Sequence, residues 1–587
     1  MPRVIAAVAQ TAEDEVVYFA KYDIKDGFWR LECEEGAEYN FAYVMPQEEG
    51  QPVKLVVPTS LQMGWTESPS YFNAASETAR DVADEYAQAE ELDEHYLEEW
   101  TKLADEYKTL PSGRLSVELA HCFEVYVDDF IAVAVPHTKE DLNHLSRALL
   151  HAIHDVFPAS PDEPGEDPVA LKKLKKMEGA WAVRKDILGW VFDGKAKTME
   201  LTEDKKVELM KLTKQALRAK QGVPFNSFEK MLGKMRRASQ GIPGSDGLFS
   251  PFNRVLGRKP KRVWFKKRGE LAAALRDWRA IFKQASSEPT HVNQLIRDPD
   301  PDVGGIVDAS GEGVGGVVFG MKIGCKPTVF RFKWPASITS QLQTEQNPDG
   351  KITNSDLEMA GLVFLWLIVE HIVGDLKHKH ILLLSDNSPS VSWVNRMASK
   401  RSRPAGELLG ILAFRINAKR ACPITPLHIP GVHNRISDIP SRSFGYKKEW
   451  KFDCDSEFLT FFNSKFPLPQ QHSWQMCKMN TEISSRILQS LLTPGSGMQH
   501  WRRLPEIGKN IGGTGASLQG SFELILSLTR EKCLTKSKQG HSQYSEGLSE
   551  KEFMATVNRS LKQQLAQQSP PSARRSPWMA RTARTTP

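Results

Sequence analysis

Cysteine is scarce and scattered. The seven among 587 residues (Cys33, Cys122, Cys325, Cys422, Cys454, Cys477 and Cys533) include no CxxC pair. That excludes a zinc knuckle and a disulfide framework and fits a reducing compartment. Long apolar runs are missing as well. The longest, Ala360 to Val369, is too short to span a bilayer and reads as a buried helix. The start, MPRVIAAVAQTAEDEVV, is too short and too acidic for a secretory signal. The glycines at 512–515 lack a following GK[ST] and a recognisable preceding strand, so no phosphate loop is expected there.

What is present is enough apolar residue, 40%, for several cores. The net charge of +5 hides a division along the chain. Residues 1–130 hold 9 Lys/Arg against 28 Asp/Glu, a balance of −19, while residues 171–268 hold 26 against 9, a balance of +17. An acidic block beside a basic one suits a metal–carboxylate body next to a surface for a polyanion, or simply two solvated faces.

Hydrophobic patterning divides the chain further. Residues 16–60 read as strand-rich, 69–107 as helix opening at Ser68-Pro69, and CFEVYVDDFIAVAV (122–135) as strand, turn, strand. The acidic stretch 77–107 reads as a helical surface insertion. A Pro/Asp/Glu-rich linker follows at 157–168, then a basic, mostly helical stretch to 290. A second α/β pattern begins near 303 with a Gly-rich hairpin, GGIVDASGEGVGGVVFGMKI. It continues with the apolar helix DLEMAGLVFLWLIVEHIV, the buried strand HKHILLLSDN and a helix from VSWVNRMAS. From 448 the chain reads as linker or tail.

Two sets of acids stand out. Asp128 and Asp129 sit at a hairpin tip, and Asp23 ends another apolar strand in KYDIKDGFWRL. Adjacent carboxylates are costly unless a cation neutralises them, and carboxylates converging from separate strands can hold two Mg²⁺ about 3.5–4 Å apart for nucleotidyl transfer. In the second set Asp308 and Asp386 end strands, Glu358 lies on a helix, and Asp438 lies in HIPGVHNRISDIPSR. That quartet can converge at one sheet edge and hold two metals for phosphodiester cleavage.

These strings carry a family resemblance. YVDDF resembles the catalytic hairpin of reverse transcriptases, DIKDGF their first catalytic strand, LQMGWTESPSYF their template- and nucleotide-binding segment, and ILGWVFDG their primer grip, in the family's order. The resemblance implies Asp23, Asp128 and Asp129 as catalytic metal ligands. It implies Phe28 as the aromatic that rejects a ribose 2′-hydroxyl, Gly64 as a close-approach point for nucleotide, and Leu188, Gly189 and Trp190 as the primer grip. Plain core packing is the alternative for Phe28, and a buried hydrophobe the alternative for Trp190. Met63 stands where the family often has Gln, and only Arg3 and Lys21 are basic among the 22 residues before Asp23, where the resemblance implies a basic fingers subdomain; the expectation is a fragment or a polymerase without that part.

The order Asp308, Glu358, Asp386, Asp438 resembles retroelement ribonuclease H, and HIPGVHNRISDIPSR its last motif in gypsy-type and tyrosine-recombinase elements. His433 would assist product release or protonate the leaving group, or is a loop histidine; Asp386 on its own would be an ordinary N-cap or surface acid. The fold class expected is α+β and multidomain. A polymerase palm with an antiparallel sheet and helices (1–160) leads into a basic primer grip, thumb and connection (161–300). An α/β ribonuclease H-like mixed sheet (301–447) and a tail (448–587) follow. The implied activity is RNA- and DNA-templated DNA synthesis with cleavage of RNA in RNA–DNA hybrids. It would use two Mg²⁺ per site, or Mn²⁺, and act on an RNA template, a DNA primer and deoxynucleoside triphosphates. The implied setting is intracellular, a cytoplasmic particle or the nucleus, away from membranes. The alternatives are a polymerase-incompetent fragment, a domesticated nucleic-acid-binding relic, or a chain in which only the ribonuclease H acts.

Overall fold

A computed structural model describes residues 1–46, 52–157, 167–297, 300–445, 450–452, 454–469, 472–495, 498–513 and 517–518. Most of the linker read at 157–168 and the end of the tail lie outside the described residues. The fold is mixed α+β with several sheets. Two compact units divide it after Thr202. No helix among the described residues is long and apolar enough to cross a membrane.

The first unit opens with helix α1 (Pro2–Ala9) and is built on a three-stranded antiparallel sheet. Strand β1 (Tyr18–Asp23) pairs with β3 (Asp129–Val135), which pairs with β2 (Ala120–Tyr126). The near-continuous apolar run of β3 buries it between its neighbours, and α2 (Ser68–Tyr86) packs on α3 (Lys139–Val156) beside it. Helix α2 begins at Ser68-Pro69 as the sequence predicts, since Pro loses nothing at a first turn.

The acidic stretch departs from expectation: helix stops at Tyr86, and only Asp105–Thr109 is α-helical again before 110. Glu90, Glu91, Asp93 and Glu94 would repel one another along a helix face. Instead the segment hangs on an anchor, the buried Glu98, which Arg147 of α3 grips at 2.7 Å and Lys102 at 2.5 Å. The run KLVVPTSL is likewise mostly irregular, keeping a two-residue pairing of Leu55–Val56 with Tyr43–Val44.

A short helix α4 (Leu171–Leu174) leads to a meander of β4 (Arg184–Ile187), β5 (Trp190–Asp193) and β6 (Thr198–Leu201). Backbone bonds tie this meander to the first sheet, Phe19 with Ala182 and the Val17 N–H to the Gly194 carbonyl. The first unit therefore runs through Thr202.

The second unit starts with four helices, α5 (Glu203–Arg218), α6 (Phe225–Ser239), α7 (Ser250–Arg258) and α8 (Glu270–Ser287). A seven-stranded mixed sheet follows. Its strands are β7 (Val303–Ala309), β8 (Gly313–Gly320), β9 (Thr328–Lys333), β10 (Ile381–Ser385), β11 (Thr425–His428), β12 (Gln475–Met479) and β13 (Gly508–Ile511). Their spatial order is β11-β10-β7-β8-β9-β12-β13. The pairs β7–β8, β8–β9 and β12–β13 are antiparallel, while β7–β10, β10–β11 and β9–β12 are parallel. The parallel crossovers carry helices α9 (Asn354–Val373), α10 (Ser388–Arg396) and α11 (Arg403–Lys419). Helix α12 (Arg435–Ser441) follows β11 and lies against β8, so closely that a Cβ on Gly315 would come within 2.5 Å of Pro440.

Helix α9 is apolar all round and buried from Asp356 to Glu370, as its sequence predicts. The span read as tail contains further structure: β12 and β13, with helices α13 (Asp455–Lys465) and α14 (Thr481–Leu492). A strand therefore does precede Gly512, though GK[ST] is still missing. A buried ion pair helps to hold this span. The Arg415 guanidinium of α11 meets Glu370 of α9 at 3.0 Å and donates to the Trp501 carbonyl at 2.6 Å. Both side chains are at most 4% exposed.

Removing one member of such a pair strands a charge in a dry interior. Arg415→Ala is therefore expected to cost about 3–5 kcal/mol in urea unfolding. Lys478→Ala, which opens a largely exposed pair with Asp455, should cost under about 1 kcal/mol. Equal effects of the two substitutions would refute this account.

Candidate active sites

Strand pairing brings the first set of acids together. Asp23 lies directly opposite Asp129 in the β1–β3 register, and Tyr126 pairs with Asp129 to close the β2–β3 hairpin over a two-residue turn, Val127-Asp128. The Asp128 carbonyl accepts the Ile24 N–H at 3.1 Å, so the tip is stitched to the end of β1. Val127 has φ +59°, a left-handed conformation that a β-branched residue adopts only at a cost of about 1–3 kcal/mol. Strain of this kind concentrates where a tip must aim its side chains.

Burial raises the Asp23 carboxyl above the usual range; Asp128 and Asp129 push the same way, and Lys173 opposes them. Lysines answer this charge. Lys173 Nζ sits 2.5 Å from Asp23 Oδ1, and Lys21 Nζ sits 3.0 Å from Asp129 Oδ1. Two acidic positions that already draw in ammonium groups are chemically suited to a hard divalent cation.

The other residues named around this site lie as follows. Phe28, in the turn Gly27–Arg30, is partly buried with its ring 5.0 Å from that of Phe72. Gly64 has φ +105° and open space around it, and Met63 beside it is 70% exposed. Leu188 and Gly189 form the β4–β5 turn, both with positive φ, as a two-residue hairpin turn of the twist-matching kind requires. Trp190 is buried, and its indole Nε1 has no hydrogen-bond partner.

The second set converges more tightly. Asp308 near the end of β7, Glu358 on α9 and Asp386 just past β10 bring carboxylate oxygens within 4.8 Å of one another. Among the described residues they form the one group of three potential ligands that does so. The topology accounts for it. Strands β7 and β10 are parallel neighbours, so their carboxyl ends emerge side by side, and α9 passes across the same edge.

Hydrogen bonds hold the acids in place. The Ser441 hydroxyl donates to Asp308, and the Ser385 hydroxyl donates to Glu358 at 3.3 Å. A Cβ on Gly431 would come within 3.0 Å of Asp386 Oδ2, which keeps that loop bare beside the carboxylate. Asp438 on α12 pairs with Arg442, which also reaches Asp308 at 3.9 Å. His433 lies in the Gly431–His433 turn that precedes α12.

Burial pushes the Asp308 carboxyl up to about 6, and Asp386 and Asp438 add to it. Glu358 is raised well above its usual range by burial, then by Asp308 and Asp386. Three carboxylates that offer oxygens within 4.8 Å of one another, two of them raised by burial, make a donor set that could hold Mg²⁺ or Mn²⁺. From sequence, Asn434, Ser441 and Arg442 stand only as the N and the SR of the last motif's pattern, and Ser385 is not singled out.

No family model and no curated relative matches the chain. Solved structures of the foamy viral protease–reverse transcriptase are similar to it at low levels. The dRH form with double-stranded DNA is 15% identical with a TM-score of 0.33, covering 71% of this chain and 57% of that one. The complex with RNA/DNA hybrid is 16% identical with a TM-score of 0.32, covering 72% and 45%. A further complex with double-stranded DNA is 17% identical with a TM-score of 0.31, covering 70% and 67%. The chain thus spans about half the length of the first two.

Without metal, native Asp308 keeps its proton up to about pH 6, whereas an unfolded aspartate loses it near 3.8. The native state therefore binds more protons between those values, and stability must fall as pH rises through that window. Asp308→Asn removes this effect. In EDTA its stability relative to the unaltered chain should grow between pH 4 and 6, by about 1–3 kcal/mol, and stay constant above. A pH-independent difference in urea midpoints would contradict the buried-acid assignment.

Proposed function

We propose that the chain is a nucleic-acid enzyme of reverse-transcriptase type, with a polymerase palm in its first unit and a ribonuclease H in its second. The observation that carries the reading is the convergence of Asp308, Glu358 and Asp386 at the carboxyl edge of parallel strands β7 and β10. A pair of Mg²⁺ or Mn²⁺ ions held there would generate a hydroxide-like water and stabilise the leaving oxygen of a phosphodiester.

The chain's own residues supply the rest of that site. Ser441 and Ser385 fix the orientations of Asp308 and Glu358. The Asn434 amide, buried and donating to the Val307 carbonyl, sets the loop that delivers Asp438. Exposed Lys211, Lys214, Lys230, Lys261 and Lys266 on the helical part of the second unit, with Trp264 half exposed among them, suit sequence-independent contact with phosphates. RNA in an RNA–DNA hybrid is the proposed substrate.

For the first unit we propose templated DNA synthesis, with Asp23, Asp128 and Asp129 as metal ligands and Phe28 discriminating against ribose. Gly64 would admit nucleotide, and Leu188, Gly189 and Trp190 would place the primer end. RNA template, DNA primer and deoxynucleoside triphosphates are its ligands, and a retrotransposon of gypsy or tyrosine-recombinase type its source. One observation favours a narrower reading, cleavage without synthesis. Lysines already stand on two of the acids that would bind metal there, Lys21 on Asp129 and Lys173 on Asp23.

Glu358→Gln should reduce Mg²⁺-dependent hybrid cleavage by roughly a hundredfold or more, since several kcal/mol of transition-state stabilisation depend on that ligand set. Asp128→Asn should abolish primer extension while hybrid cleavage continues, because the two carboxylate sets are separate. Absence of cleavage by the unaltered chain would sink the ribonuclease reading. Cleavage with no extension would select the narrower one.

A further inference from the structure

The two lysines at the first acidic site differ in a way that suggests a function. Lys21 lies within strand β1, is 17% exposed, and is shared between Asp129 at 3.0 Å and Glu178 at 3.7 Å. It is built into the sheet. Lys173 reaches Asp23 from α4, and its side chain is 46% exposed.

The backbone that carries Lys173 is fixed at Asp23 itself. The Ala170 N–H donates to the Asp23 carbonyl at 2.8 Å, and the Lys25 N–H donates to the Pro168 carbonyl at 2.8 Å. Val169 pairs with Ile24, and Leu174, one residue on, is buried in the core. A rigid mount thus holds a flexible, half-solvated ammonium against a buried carboxylate. The ion pair relieves the charge that Asp23 shares with Asp128 and Asp129. It also occupies Asp23 Oδ1, one of the two oxygens that this carboxylate could offer a divalent ion.

We propose that Lys173 is a built-in counter-cation that competes with divalent metal for Asp23, so that metal uptake at this site requires Lys173 to leave. The inference rests on the metal-binding reading of the Asp23, Asp128 and Asp129 site. Only a side-chain rotation is needed, since the mount is anchored independently of the ion pair. A long, half-exposed lysine makes that rotation at little cost in packing. Lys173 is a positioning residue, acting on Asp23 rather than on substrate.

The test uses the full chain carrying Asp308→Asn and Glu358→Gln, which silence the second acidic site, with Mn²⁺ binding followed by the loss of the free-ion electron paramagnetic resonance signal. Lys173→Met in this background should bind Mn²⁺ roughly fivefold more tightly than its parent, while Lys173→Arg, which keeps the charge, should match the parent. Unchanged or weaker binding by Lys173→Met overturns the competition. Asp23→Asn separates the two levels. If it abolishes the binding, the metal site stands and the Lys173 result decides the inference. If it binds Mn²⁺ as the parent does, the metal reading fails and the competition falls with it.

Discussion

Carboxylates crowded into poorly solvated places repel one another, and that repulsion is the constraint on which this architecture turns. Burying one acid is expensive; burying three side by side is tolerated only with protons, basic partners or a metal to offset the charge. The chain uses the first two devices differently at its two sites. At the Asp308, Glu358 and Asp386 site burial raises the Asp308 and Glu358 carboxyls so that they favour their protonated forms, with Arg442 reaching Asp308 from the edge. At Asp23 and Asp129 lysines stand directly on the oxygens. Both arrangements offset acid charge, and the Asp308, Glu358 and Asp386 group could also hold a metal ion.

The scaffold that enforces the crowding is ordinary strand pairing. An antiparallel register sets Asp23 against Asp129, and a parallel register lets β7 and β10 end together near Asp308 and Asp386. Hairpin turns and helix edges then refine their aim. The left-handed Val127 and the bare Gly315 and Gly431 are places where local comfort yields to geometry. Such violations of local preference gather where function constrains a chain.

Those local features were also the legible ones. Apolar segments on both sides of Asp128 and Asp129, the Ser68-Pro69 helix start and the apolar α9 all speak through short-range pattern, and each element lies where the pattern put it. The acidic stretch after Tyr86 misled because composition favours helix while like charges along one face oppose it. Strands β12 and β13 were illegible for another reason. Sequences such as QMCKM become strands by completing the edge offered by β9, some 140 residues earlier, and no local signal records that edge. Lys173 was visible only as one charge in KKLKK; its partnership with Asp23 depends on backbone bonds between distant segments.

The buried Arg415–Glu370 pair shows how these long-range dependencies lock together. Helix α9 packs on the sheet and carries Glu358, and α11 packs on α9. A guanidinium between them that also holds the Trp501 carbonyl makes the late segment part of the support of α9. Loss of that segment would strip the guanidinium of its Trp501 and Arg502 carbonyl acceptors in a dry interior, a defect of the kind that costs far more than a surface ion pair is worth. The placement of Glu358 therefore depends on residues more than 130 positions downstream, in a stretch whose composition suggested a tail.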